Sequence, residues 1–266
     1  MDERSKYLRS LVVRMVEGGG RGHIGPAFSL IELIRVLYDD FLKYDPANPQ
    51  DKNRDRFILS KGHGCLALYS ILADKNFFDK KLLDTFCKTE SIFGGHPEIN
   101  KVPGVEATTG ALGHGLSIAS GIALALKLKK NPEKVVTIVG DGEINEGSVW
   151  EALLSISKHQ LSNLLIIIDY NKMQSYSSTY EVLNLEPLKE KLESFNLSVK
   201  EVDGHDIDQI KETLLTFPFN KKKASCIISH SIKGKGYAEA ENNASWHHKS
   251  NLSDEELKKL KNSFNI

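Results

Sequence analysis

The sequence predicts an α/β fold, a doubly wound parallel sheet with helices on both faces, and three observations carry that expectation. Short apolar runs at 56–60, 135–139, 164–168, 199–202 and 224–229 alternate with segments of helical periodicity, the pattern of strands buried beneath crossover helices. Glycine-rich loops cluster after Ser60, before Leu116, after Val139, after Ile168 and after Ser229, and in such sheets ligands bind at the carboxyl ends of the strands. Finally, Asp141 and Asn171, thirty positions apart, each follow an apolar run. One crossover helix fits between them, so both side chains can emerge at one sheet edge.

With 266 residues the chain can bury a full α/β core, and residues 1–266 read as a single domain. Lysine plus arginine balances aspartate plus glutamate at 35 each. That balance gives no field favouring nucleic acid or an anionic membrane, so a small-molecule partner is expected. The charged start and the lack of an apolar run of about 20 residues predict a cytoplasmic protein without a membrane span. Cys65, Cys87 and Cys226 are odd in number and lack paired spacing, which supports neither a disulfide framework nor a zinc site.

Taken in order, residues 5–16 carry a helical apolar stripe (Leu8, Leu11, Val12, Met15) that Gly18, Gly19 and Gly20 stop. His23 follows in a glycine-rich loop, a place where a histidine is commonly a solvated turn residue. Ser29, with Glu32 three positions on, reads as the N-cap of a helix running to about residue 42. Residues 56–60 form a strand, and His63 occupies the next strand-to-helix corner. Such corners hold anions because free N–H groups point outward there, although a plain surface turn looks the same in sequence. Two more glycine-rich loops, 94–98 with His96 and 108–115 with Gly110 and Leu112, precede a helix at 116–128. That helix is apolar nearly all round and carries small residues, suiting the core or a subunit interface. After the central strands come a helix at 186–196, a strand at 199–202 and a helix at 206–216 capped by Asp206. A strand at 224–229 leads to Lys233-Gly234-Lys235-Gly236 and Trp246-His247-His248-Lys249, and a solvated helix closes the chain at 253–264.

Chemically, Asp141 between two glycines places a carboxylate on backbone that can approach a ligand closely. A carboxylate, an amide oxygen and a nearby backbone carbonyl form a hard-oxygen set suited to Mg²⁺ or Ca²⁺ beside substrate phosphates. Gly-Asp-Gly alone is a weak signal, commonly just a turn, and Asn171 is what strengthens it. The pair resembles the thiamine diphosphate signature, and its surroundings, Gly-Asp-Gly-Glu-Ile-Asn-Glu-Gly and Asp-Tyr-Asn-Lys, are similar to those of transketolases. The resemblance extends over about residues 7–249.

It implies a thiamine diphosphate-binding fold, here its diphosphate-binding domain, and a chain that moves a two-carbon ketol unit from a ketose to an aldose. Asp141, Asn171 and the Met173 carbonyl match the ligands of Mg²⁺ or Ca²⁺, with the Gly142 backbone at the diphosphate. His63 matches a residue near that diphosphate, and Gly110 and Leu112 match residues against the aminopyrimidine. His23, His96 and His247 match histidines that handle the sugar, with His247 also reaching the phosphates. Glu146 and Glu151 match acidic residues between paired active sites, although acids in the first turns of a helix also suit its dipole. Ala111, His114, Ser175 and His248 stand where transketolases commonly have Pro, Gln, an apolar residue and Gly. The resemblance covers only the first domain of such enzymes. It therefore implies a separate C-terminal transketolase-like subunit that supplies the pyrimidine-binding domain and its glutamate, in an α₂β₂ assembly acting on a sugar or sugar phosphate.

Two other functions use parts of the same pattern. The α subunit of a 2-oxoacid dehydrogenase can share the Asp-to-Asn metal spacing, but four histidines argue for sugars. A non-catalytic cofactor-binding subunit could retain the site without turnover. A nicotinamide oxidoreductase would want Gly-x-Gly-x-x-Gly after the first strand, and no run of that pattern follows a strand here.

Overall fold

A computed structural model describes residues 1–247, 249 and 251–266; the His248 departure lies outside the described residues. In chain order the elements are α1 (Glu3–Gly19), α2 (Ile24–Phe28), α3 (Ile31–Val36), β1 (Arg56–Leu59), α4 (Cys65–Asp74), α5 (His114–Leu128), β2 (Val135–Gly140) and α6 (Gly147–Lys158). There follow β3 (Leu164–Tyr170), α7 (Thr179–Leu183), α8 (Leu188–Ser194), β4 (Ser198–Asp203), α9 (Ile207–Leu215), β5 (Ser225–His230) and α10 (Asp254–Ser263). The strands pair in the order β1-β2-β3-β5-β4, and every pairing is parallel.

Alternation along the strands divides the interior in two, because successive side chains of a strand point to opposite faces. Phe57, Val136, Ile138, Leu165, Ile167 and Ile227 face a core closed by α1 to α4. Ile58, Val135, Val139, Leu164, Ile166 and Ile228 face a second core closed mainly by α5, α6 and α8. Both strand faces are covered, so the expected doubly wound α/β sheet is the observed one. Register fixes the functional edge as well: Gly140 of β2 lies opposite Asp169 of β3, which lies opposite Ser229 of β5. The loops leaving β1, β2, β3 and β5 therefore open at one edge of the sheet.

Several local expectations hold and three are revised. Asp2 caps α1, and Gly20 ends it in the left-handed region (φ 65°), its N–H bonded to Val16. Asp206 caps α9 as expected, and Ser253 with Glu256 forms a capping box on α10. The long helix expected from the Ser29 cap is instead α2 and α3 followed by a wide turn, Leu37–Phe41. Ser29 does not cap because its hydroxyl lies 2.8 Å from Asp169 Oδ2, while Glu32 is engaged by Arg9 and His205. Nor is α10 wholly solvated, since Leu260 and Phe264 are buried and the Phe264 ring stacks edge-on against Phe28. On α5 only Gly115, Leu116, Ala119, Ala123 and Leu126 are buried; Ile118 and Leu128 face outward. Ile118 and Leu128 are thus apolar side chains of α5 left uncovered by this chain.

One buried network ties the helical layer to the loops. The Arg9 guanidinium, fully buried, forms a fork on Glu32 (2.6 and 2.9 Å) and also donates to Phe28 O and Lys235 O. His205 Nε2 accepts from Ile232 N–H, so its proton sits on Nδ1, which faces Glu32 at 3.0 Å. Burial raises the Glu32 carboxyl, but hydrogen bonds from His205 and Arg9 outweigh it and hold the group at about 2. A folded value below the ordinary 4.5 means the contribution is present above that pH and lost as pH falls toward 2. Urea unfolding of Glu32→Gln against wild type should therefore show the variant's deficit shrinking over that window. At pH 7, Arg9→Ala should cost about 3–5 kcal/mol, because Glu32 would be left buried without its main partner; a loss below about 1 kcal/mol would remove the network's structural role.

Candidate active site

The glycine-rich loops converge as expected. A cleft of about 640 Å³ at the carboxyl edge of the sheet is lined by His23, His63, His96 and His247 together with Asp141, Gly142 and Asn171. Gly110, Leu112, Glu146 and Met173 line it too, so these residues, expected from the sequence, all border one cavity. Four stretches far apart in the chain supply the histidines. The His23 ring centre lies 5.9 Å from His63, 6.3 Å from His96 and 6.1 Å from His247, and His63 stacks on His247 at 5.6 Å.

Close backbone approach makes this packing possible. A Cβ on Gly110, whose φ is 140°, would sit 2.9 Å from the His96 ring, and one on Gly62 would sit 2.8 Å from Gly110 N. Burial pushes His63 well below the ordinary histidine range, helped by the charges of Lys61, His247 and His23, and burial also lowers His96. Both rings are then neutral near pH 7, each offering one donor and one acceptor nitrogen.

The floor of the cleft is polar and dense. Asp141 accepts from Gly142 N–H (2.7 Å) and Lys172 N–H (2.6 Å), so its carboxylate bridges the loops after β2 and β3. Burial, and then the charge of Asp169, raises it to about 7 against the pull of Lys61. Asn171 Oδ1 accepts from Met173 N–H at 3.1 Å and its amide donates to Asp169 at 3.2 Å. The Met173 carbonyl accepts from Lys233 Nζ at 3.0 Å and keeps a second lone pair. Burial, then Lys61, lowers Lys233 to about 8. Gln174 Nε2, also at the cleft, is a buried donor with no hydrogen-bond partner among the described residues. Among the described residues no three His, Cys, Asp or Glu side chains are placed to hold a metal ion. The expected oxygen set needs only one carboxylate, and Asp141, Asn171 and Met173 provide oxygens of the right hardness within two adjacent loops.

Sequence reasoning missed the groups that organise this floor. Lys61 and Asp169, both about 1% exposed, form an ion pair of 2.5 Å. Asp169 also accepts from Ser29 and from Ser231, the first 2.8 Å away. A charged residue inside the apolar run of β3 was the available signal for Asp169; Lys61 had none beyond following a strand. The motif draws attention to Glu146, yet its neighbour Glu143 is the buried one. Glu143 accepts from Ser60 Oγ, Gly113 N–H and Gly140 N–H, tying three loops together, whereas Glu146 and Glu151 are exposed.

Comparison with known proteins gives a consistent result. Residues 2–266 match the family described as transketolase, thiamine diphosphate binding domain. One subunit of the apulose-4-phosphate transketolase of Phocaeicola vulgatus is 39% identical over 248 residues, which cover 93% of this chain and 88% of that protein. The 6-deoxy-6-sulfo-D-fructose transketolase subunit SqwG of a Clostridium species is 38% identical, with 93% and 90% covered. Among solved structures, transketolase from Campylobacter jejuni superposes with a TM-score of 0.91 at 32% identity over 99% of this chain. This chain spans only 42% of that longer one.

Removing Lys61 should expose how much the floor depends on its pair. Lys61→Met is expected to lower unfolding stability by about 3–5 kcal/mol, because a buried carboxylate is left uncompensated. The double variant Lys61→Met/Asp169→Asn should recover more than half of that loss, since the charge is gone, the amide oxygen still accepts from one of the Ser29 and Ser231 hydroxyls, and the amide NH2 can donate to the other. A double variant no more stable than the single one, measured by chemical unfolding, would rule out charge imbalance as the cause.

Proposed function

The chain belongs to the transketolase thiamine diphosphate-binding domain family, and on that premise we propose that it is the N-terminal subunit of an enzyme transferring a two-carbon ketol unit from a ketose to an aldose. The observation that carries this reading is the single cleft in which the Asp141–Asn171 floor meets four histidines. Residues 1–266 act as one diphosphate-binding domain in this reading, and the cofactors are thiamine diphosphate and Mg²⁺ or Ca²⁺.

The residues present fit that pair of groups. Asp141, Asn171 and the Met173 carbonyl would hold the cation, while the backbone at Gly142 and the Gln174 Nε2, which has no partner among the described residues, line the space for a diphosphate. His63 would lie beside the diphosphate, and Gly110 and Leu112 would take the aminopyrimidine. When bound, the cofactor supplies the electron sink that lets the carbon–carbon bond beside a ketose carbonyl break and re-form. His23, His96 and His247 hold the sugar: an imidazole can accept a hydroxyl proton at an unprotonated ring nitrogen and donate from a protonated one, orienting the polyol and moving protons during transfer.

Half of the site has to come from elsewhere. Tyr176 and Tyr180, on the rim next to the cleft, are 89% and 75% exposed, and Leu183 beside them is exposed as well. Apolar surface gathered at the mouth of a site suits a covering subunit. A separate C-terminal transketolase-like chain that brings the pyrimidine-binding domain is that subunit, and the uncovered face of α5 suits self-association into α₂β₂. The relatives named as transketolase subunits support a divided enzyme, and their names favour transketolase over the 2-oxoacid dehydrogenase alternative. Among the described residues no helix is long and apolar enough to cross a membrane. A cytoplasmic location is part of the proposal, supported by three cysteines that are all free.

Two experiments test the reading. Calorimetry should show thiamine diphosphate binding that requires Mg²⁺ in the wild-type protein and is abolished in Asp141→Ala, the variant that loses the only carboxylate of the set. Unchanged affinity in that variant would remove the metal assignment. The purified chain alone, given cofactor, Mg²⁺, a ketose donor and an aldose acceptor, should show no ketol transfer until the partner chain is added; robust turnover by the single chain would defeat the divided-site reading.

A further inference from the structure

The loop that carries His96 is gripped by α4. Tyr69 and Cys65, about one turn apart on that helix and both buried, face the loop's backbone. The Tyr69 hydroxyl lies 3.1 Å from Gly94 O and 2.9 Å from His96 O, and Cys65 Sγ lies 3.2 Å from Gly95 O. Three consecutive carbonyls are thus turned onto one helix face.

The flanks of the loop are tied separately. The Phe93 ring, immediately before Gly94, packs on the Tyr69 ring at 5.1 Å, and Pro97 O accepts from Thr109 N–H at 3.1 Å. Between these ties the bonds from the phenol and the thiol set where the His96 backbone lies. Burial raises both groups well above their ordinary values, so both remain protonated donors near pH 7. The same helix starts directly after the Gly62–Gly64 turn that holds His63. It therefore places two of the four histidines, His63 through the chain and His96 through its carbonyls, at 5.9 and 6.3 Å from the His23 ring.

We propose that Tyr69, assisted by Cys65, is a positioning residue for His96: by clamping the carbonyls of Gly94, Gly95 and His96 onto α4, it fixes the spacing of His96 from His63 and His23 and with it the fit of the sugar hydroxyls. Tyr69 is 0% exposed, so it acts through the loop and not on the sugar. The effect on the sugar rests on the reading of His96 as a sugar-holding group, while the attachment of the loop to α4 does not depend on it.

Tyr69→Phe keeps the ring and removes the hydroxyl. In the isolated full chain it should speed amide exchange at Thr109, whose N–H is bonded to this loop, by about 10-fold, with the amides between β2 and β3 exchanging at the wild-type rate. An unchanged Thr109 rate overturns the clamp. In the reconstituted complex the same variant should raise KM for the ketose about 3- to 10-fold with kcat nearly unchanged, and Cys65→Ala should do so to a smaller extent, because a thiol is the weaker donor. A cycle with His96→Ala decides the route: once the imidazole is gone, Tyr69→Phe should change kcat/KM by less than about 2-fold. Equal losses with and without His96 would give Tyr69 a general structural role and overturn the proposal. Should Tyr69→Phe fail to fold, Cys65→Ala carries the same cycle with the same two outcomes. A wild-type complex that transfers no ketol unit from any sugar would defeat the proposed function, while the exchange rates would still decide the clamp.

Discussion

The buried pair between Lys61 and Asp169 holds the functional edge together. Lys61 follows β1 and Asp169 lies near the end of β3, so the bond spans β2 between them and joins positions 108 apart in sequence. Taking two charges out of water costs several kcal/mol each, and such a pair is tolerated only where its remaining hydrogen bonds are satisfied. They are satisfied here: Ser29, Ser231 and Asn171 all donate to Asp169. One carboxylate thereby gathers the α2–α3 junction and the loops after β1, β3 and β5. The cleft exists because those loops cannot move apart without leaving a buried charge unpaired.

Around this pair, absent side chains do as much as present ones. Gly62 lets the corner after β1 press on Thr109 and Gly110, and Gly115 lets the start of α5 lie against Ser60, where a Cβ would be 2.6 Å from the Ser60 Cα. Glu143 closes the same seam from below by accepting from Ser60, Gly113 and Gly140. His96 is seated by such a backbone contact, its ring against Gly110, while His247 also lies 3.2 Å from the Ser175 hydroxyl. The low basicity of His63 follows from the same crowding, because burial and the neighbouring Lys61 both disfavour its charged ring.

What the sequence discloses depends on how local its cause is. The strands were legible because burial on two faces demands unbroken apolar runs such as 164–168, and the edge was legible because tight loops demand glycine. Asp141 and Asn171 could be named from their spacing at strand ends, and the other cleft residues, down to Met173, from the resemblance of their motifs to those of transketolases. Ser29 misled because its neighbourhood satisfies a local capping pattern, yet a tertiary partner, Asp169, claims the hydroxyl. Lys61 and Lys233 were invisible for the complementary reason: a lysine that will be buried looks like a solvated one until its distant partners are placed. The outer face of α5 has the same origin, since apolarity marks surface that must be covered without saying which chain covers it.

Charge balance in the floor bears on how the proposed cofactors would bind. Asp141 and Asp169 face Lys61 and Lys233, two formal negatives against two positives, in a region where water screens weakly. At an effective dielectric of about 20, unit charges about 4 Å apart interact by about 4 kcal/mol. A divalent cation arriving alone would meet Asp141 but also the repulsion of two lysines; a diphosphate alone would meet the lysines but also two carboxylates. Bound together, each screens the other from its like charges, and the floor returns close to neutrality. Lys233 adds to this coupling, because its ammonium bonds the Met173 carbonyl whose second lone pair the cation would use. A diphosphate beside Lys233 would offset the charge that otherwise repels the metal, so in the proposed reading this charge set would favour the metal–diphosphate pair over either component alone.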